Sequence, residues 1–475
     1  MFLPISVFAD NNSAKENINY KKPGAVINAI ADTVIADPGL KPLTRKALKP
    51  ANTKSPLHFY GQKKLTKAVL EAYLDRAIVH MSGTSKEPEV YSDRSRQFLE
   101  DTGTKFIHWA DLGWVRFYTQ ADWDRLTPQI DAVHGTDWGS EVIYECGIME
   151  AIGRNEINKT PIPDWLLKIL DDLNVNSVRK LGPNGKGFFS YEAMFDRNAA
   201  DWPKNLIGLW ASAPEYEQSV PDITMLETQI YYAYLIAEYL DAGFEGIMFG
   251  QTMLTGARDK DNAALNALCK FAKKWASARA YRHAVTLTSH VYNGVDYPKS
   301  PASKAKPLFT HLTWPSRPSY SEKPPYTMQF GPDVKKTAKR YGGDEIIHLL
   351  SLPHDLPILI EIDNYGGDPQ INDFQDDDIT AYARKTPEER RAYLKRYYFD
   401  SRKWKNVDGN ARVHFALPGY RCLIKSISLY TMPDGQPSKP VNFYVPFRED
   451  GGEEDTIRDL FAHARLPKEF LQATE

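Results

Sequence analysis

The chain has 475 residues, with 59 Lys and Arg against 61 Asp and Glu, a net charge of −2 and an isoelectric point near 6.6. Basic and acidic residues interleave, so no basic stripe marks a nucleic-acid footprint. Three cysteines, Cys146, Cys269 and Cys422, lack CxxC or Cys/His spacing, which argues against a zinc ribbon and a disulfide scaffold.

The N-terminus, MFLPISVFADNNSAKEN, reads as the tail of a secretory signal cut after Ala9, so residues 1–9 are a signal remnant and the protein is expected to be periplasmic or secreted. Residues 10–103 form an N-terminal extension. It is irregular over 10–56 and helical over KKLTKAVLEAYLDRAIVHM (63–81), where apolar residues recur at helical spacing. No stretch approaches the ~20 apolar residues of a membrane span.

From residue 104 strand and helix patterns alternate. FIHWAD (106–111) precedes a helix over 121–134, and EVIYECG (141–147) precedes PIPDWLLKILDDL (161–173), whose Pro and Asp mark a helix start. GFFSYEAMF (187–195) and NLIGLWA (205–211) compete for the third strand, and the second is preferred. Helices over 224–243 and 262–281 flank GIMFGQ (246–251), and AVTLTSH (284–290), LFTHLTW (308–314), PILIEIDN (357–364) and ARVHFA (411–416) complete the series. The Pro- and Ser-rich stretch 294–353 is too long for a plain connection, so it contains a functional loop or a small insertion. A helix follows over 386–404. After 420 a hairpin around PDGQ and a helix over 454–464 make a C-terminal β appendage, residues 421–475.

Mainly apolar strands suit a parallel sheet buried on both faces. Alternation with helices makes the chain α/β, and polar residues crowding the strand ends predict a (β/α)8 TIM barrel over 104–420 with its site at the C-terminal face.

Those strand ends supply the candidates. Glu361 and Asp363 share one face, because side chains alternate along a strand. Glu145 ends the 141–147 strand, with Glu150 and Glu156 in the loop or helix beyond it, and Asp111 ends the 106–111 strand. Glycoside hydrolysis needs two carboxyl groups flanking a sugar, one a proton donor and one a nucleophile or base. Glu145 and Glu361 form the expected pair, with Asp111 or Asp363 assisting. Gln251, His290, His414 and Glu192 are expected to hold hydroxyls, and Trp210 and Trp314 to pack on the apolar faces of the sugar. GPNGKG (182–187) lacks P-loop spacing, the acidic stretch 363–378 lacks EF-hand spacing, and no GxSxG elbow occurs.

In strand order, strand-end chemistry and aromatic content the chain resembles the barrel glycoside hydrolases, including those of exported bacterial type. Their large clan carries an Asn-Glu pair after strand four and a Glu after strand seven. Here Glu361 matches the latter, while strand four ends Phe249-Gly250-Gln251. The resemblance implies a glycosidase acting on an oligo- or polysaccharide, without cofactor or metal. Two alternatives stand beside it. One is a metal-assisted hydrolase using His290, His311 and His414 with Asp111 or Asp363. The other is a non-catalytic glycan-binding barrel.

Overall fold

The computed structural model describes residues 24–43, 45, 65–80, 92–112, 118–175, 187–199, 206–208, 217–290, 308–315, 355–363, 377–403, 405, 409–427, 441–447 and 452–464. The signal-like residues 1–9, Trp210, most of the 294–353 stretch and GPNG lie outside them.

Eight parallel strands form one sheet: β1 (Ala77–Val79), β2 (Phe106–Leu112), β3 (Ile143–Ile148), β4 (Gly246–Phe249), β5 (Thr286–Thr288), β6 (Leu312–Pro315), β7 (Ile358–Glu361) and β8 (Val413–Pro418). Each pairs with its neighbours in chain order, and β1 pairs with β8. The circle closes between β5 and β6 through a parallel bridge, His290 to Thr313, with Thr310 N–H donating to Leu287 O and Thr313 N–H to Ser289 O. The chain is therefore a (β/α)8 barrel.

Seven of the eight expected strand segments overlap these strands. The exception is 205–211, whose described residues, Leu206–Gly208, lie in a turn. Its competitor, 187–195, holds a 3-10 turn, Tyr191–Met194. The missing strand is β1, inside the segment expected to be one helix over 63–81. That helix stops at Leu74, and a two-residue turn delivers Ala77–Val79 into the barrel. The barrel thus begins near residue 77 rather than 104, and every later strand moves up by one place until β4. The supposedly irregular N-terminal stretch also contains a helix, Ala25–Ala36, packed on the helix Ala263–Arg279.

Residues at one parity face outward. Ile107, Tyr144, Ile247, Leu287, Trp314, Ile360 and Phe415 pack beneath the surrounding helices. The helix Leu226–Ala242 is buried along almost its full length, because it lies between the barrel and an outer layer made by the helices Ala25–Ala36 and Ala263–Arg279. The opposite parity fills the lumen, with Ala77, Phe106, Ile143, Met248, Leu359 and Ala416 as its apolar part. Arg421–Ile427 (β9) and Val441–Tyr444 (β10) pair antiparallel beyond the barrel, followed by the helix Glu454–Ala462. No helix among the described residues is long and apolar enough to cross a membrane.

Candidate active site at the barrel mouth

The inward positions of several strands are ionisable, which is costly in a closed lumen unless the groups satisfy one another. On β2, Phe106 and His108 face inward, and on β3 Ile143 and Glu145 do so. Gly246 stands opposite Glu145 in register, and a Cβ there would lie 2.7 Å from the Glu145 Cβ. Glu361 is the last residue of β7. His108 lies between the two glutamates. Its Nδ1 donates to Glu145 Oε1, and its Nε2 lies 3.2 Å from Glu361 Oε1. Further links are His311 Nε2 to Glu145 Oε2 at 3.5 Å and His290 Nε2 to Glu361 Oε1 at 3.0 Å. Arg421, just past β8, stands 3.7 Å from Glu361 Oε2 and 3.2 Å from Asp363 Oδ1, and donates to Ile362 O at 2.9 Å.

His108, Glu145, His311 and Glu361 are wholly buried. Burial works to raise both carboxyls, but the charge of His108 beside both, its bond to Glu145, and the nearness of His290 to Glu361 and of His311 to Glu145 outweigh it and hold both below their ordinary values. Burial works to lower His108, and Glu361 and Glu145 together carry it above its ordinary value. The expected pair, Glu145 and Glu361, is therefore brought together through one imidazole, with both members held in the charged form.

A carboxyl of opposite character sits above them. Glu150, two residues past β3, is buried, and burial raises its proton affinity, with the charge of Asp363 adding to the effect. Its Oε2 accepts from Gln251 N–H at 2.9 Å, and its Oε1 from Gln251 Nε2 at 2.7 Å. Gly250 permits this approach, since a Cβ there would fall 2.0 Å from Glu150 Oε2. Asp363 and His290 are slightly exposed, at 7% and 5%, and lie at the mouth.

Trp109 is buried beside His290 and Arg421. It takes a left-handed backbone, φ 57°, and the β2–β3 register shifts between Ile107 and Asp111. Its ring lies 5.0 Å from that of His290, with the Arg421 guanidinium 5.4 Å from its centroid.

Other sequence candidates fall elsewhere. Past the irregularity at Trp109, Asp111 bonds the Tyr239 hydroxyl at 2.7 Å, against a surrounding helix. His414 Nδ1 pairs with Asp75 Oδ1 at 2.7 Å at the opposite end of the barrel, beside Arg402. Glu192 is half-exposed in an ion cluster with Arg154 and Arg197. Trp314 faces outward into the packing beneath the helices. His290, His311 and His414 therefore have three different partners and do not converge on one point. Among the described residues the set whose donor atoms do converge is His108, His290 and Glu361, all within 4.8 Å of one another.

Sequence reasoning placed Glu150 in the loop or helix past its strand and did not single out His108 or Arg421 for a role. The alternation Phe106–His108 along an apolar strand was a usable signal for His108. Nothing local marks Arg421, whose role depends on where β8 ends.

No protein-family model matches the chain, and no curated protein matches it. Its fold resembles solved glycoside hydrolases. The debranching enzyme of Nostoc punctiforme shares 10% identity over 82% of this chain and 81% of its own, with a TM-score of 0.41. The γ-CGTase from alkalophilic Bacillus clarkii shares 12% over 82% of this chain, which spans only 56% of it, at 0.41. A putative α-amylase from Salmonella typhimurium shares 13% over 84% of this chain and 64% of its own, at 0.36. Likenesses at this level carry no argument about chemistry, which rests on the residues themselves.

Proposed function

We propose that the chain is a glycoside hydrolase whose proton donor is Glu150 and whose second carboxylate is Asp363. Glu361, His108 and Glu145 form a buried ionic layer beneath them. The observation that carries this reading is the opposed environments of neighbouring carboxyls. Glu150 is pushed towards its protonated form by burial, whereas Glu361 and Glu145 are held charged. A glycosidase needs one carboxyl of each kind beside the sugar. Glu145 and Glu361 meet only the charged half of that requirement, since both are held in the ionised form by the imidazoles between and beside them.

Asp363 stands in an ion pair with Arg421 at the mouth and is close enough to raise Glu150 by its charge. Gln251 orients Glu150, and Trp109 packs on His290 beneath the mouth.

The test is hydrolysis of a panel of aryl glycosides and natural glycans by wild type, Glu150→Gln and Asp363→Asn. Loss of an acid catalyst hurts poor leaving groups most, so Glu150→Gln should retain more activity on activated aryl glycosides than on unactivated glycans. Asp363→Asn should lose both. Full activity of Glu150→Gln on unactivated glycans removes Glu150 from the chemistry, and saccharide binding without turnover by wild type favours a glycan-binding barrel.

A further inference from the structure

We infer that the barrel lumen binds one divalent transition-metal ion of the Zn2+ type, ligated by His108 Nε2, His290 Nε2 and Glu361 Oε1. The inference is independent of the glycosidase reading, since it concerns the layer beneath the proposed carboxyl pair.

Three features support it. The first is spacing. Glu361 Oε1 lies 3.2 Å from His108 Nε2 and 3.0 Å from His290 Nε2. Bonds of ~2.0–2.2 Å to a tetrahedral ion put ligand atoms roughly 3.3 Å apart.

The second is the orientation of His108. Its Nδ1 is committed to Glu145, which fixes Nε2 towards Glu361, yet this wholly buried Nε2 is out of line for a hydrogen bond. A carboxylate on the far nitrogen of a ligating imidazole is the usual outer-shell arrangement of a metal histidine. Here Glu145 is that carboxylate, and His311 Nε2 lies 3.5 Å from its other oxygen.

The third is charge. Glu361 and Asp363 face the guanidinium of Arg421, and Glu145 lies across His108 from Glu361; among the described residues these three carboxylates and one guanidinium leave a deficit equal to one divalent cation when the imidazoles are neutral. Two imidazoles and one carboxylate suit zinc and its neighbours rather than Ca2+ or Mg2+, which favour oxygen ligands throughout. His290 and Asp363, at the mouth, mark the side from which an ion would enter.

The experiment uses the full chain stripped with a chelator, without glycan, and titrated with Zn2+ by calorimetry. The expected result is one ion per chain. His290→Gln and Glu361→Gln should each weaken binding by more than the ~10–100-fold expected for the outer-shell change Glu145→Gln. His283→Gln, at an exposed histidine, should bind as wild type does. Absence of stoichiometric binding, or unchanged affinity in His290→Gln, overturns the assignment. Should a variant misfold, Co2+ loading of wild type decides: visible ligand-field bands support the site, and a spectrum like that of free aqueous Co2+ overturns it. Absence of any hydrolysis by wild type with metal binding intact would break only the glycosidase reading.

Discussion

Two groups of buried charges can be compared, and they are built on different rules. Outside the barrel, Lys41 pairs with Glu238 at 3.1 Å and Asp241 at 2.8 Å, while Arg279 meets Asp241 at 2.8 Å and also donates to Lys41 O. Arg282 bonds Glu245 and the carbonyls of Ser140 and Val142 in the same closed manner. Inside the barrel, His108 Nε2, His311 Nε2 and Trp109 Nε1 are buried without a hydrogen bond. A buried cluster that satisfies itself can serve as structure, whereas one with unmet polar atoms is incomplete until something binds. Buried atoms without a bond also occur outside the lumen, at His134 Nδ1 and Gln129 Oε1, and the lumen differs in setting its unmet imidazole nitrogens beside two carboxylates.

The largest effect is expected at the mouth. Glu150→Gln is expected to lower turnover on unactivated glycans by about 10²–10⁴-fold. Wild-type activity should fall as pH rises through the raised Glu150 ionisation, because the donor must carry its proton. The sign for stability is the same. A carboxyl raised above its ordinary 4.5 favours the fold below that pH, and the contribution is lost as pH rises through the folded value, so Glu150→Gln should gain on wild type in alkaline denaturation profiles.

The next largest effect belongs to the periphery. Arg282→Met leaves Glu245 buried and uncompensated, and should cost about 3–5 kcal/mol in denaturant unfolding. A loss well below 1 kcal/mol would mean that the closed clusters are not structural.

A smaller effect concerns His134, whose Nε2 donates to Val142 O at 3.0 Å and which burial, with the charge of Arg282, lowers to about 3. As pH falls from the ordinary 6.5 towards 3, the unfolded chain takes up a proton that the folded one refuses. Stability should then drop by up to ~1.4 kcal/mol per pH unit. His134→Gln should flatten that limb in chemical unfolding series run between these values.

The smallest effect is at Glu192. Its half-exposed ion cluster predicts less than ~1 kcal/mol for Glu192→Ala and unchanged turnover. A lost activity there would return Glu192 to the site.

The barrel itself was legible in the sequence, because long apolar strands and amphipathic helices each carry a clear period. β1 was not, since three residues after a helix and a two-residue turn show no period of their own. The vacancy drew 205–211 into the count. Glu361, Asp363, Gln251 and His290 lie at or just past strand ends, as the sequence led one to expect. Asp111 was misdirected by the irregular backbone at Trp109, which strict alternation cannot foresee. Trp314 fell on the outward parity, and His414 lies too early in β8 to reach the mouth. Glu150 depends on a glycine from another strand making room for it, a relation across about a hundred residues that no local pattern contains.

The β5–β6 closure has a kinetic consequence. Among the described residues that seam is carried by three backbone bonds, one of them long at 3.5 Å, a hydroxyl pair between Thr288 and Thr313 at 2.9 Å, and the Thr310 and Thr313 hydroxyls. It is the junction expected to breathe first, and amides of Thr310 and Thr313 should exchange with solvent ahead of those between β2 and β3. His290 belongs to that seam, so an ion that tied it to Glu361 on β7 would act as a latch, slowing exchange there while leaving the rest of the barrel untouched.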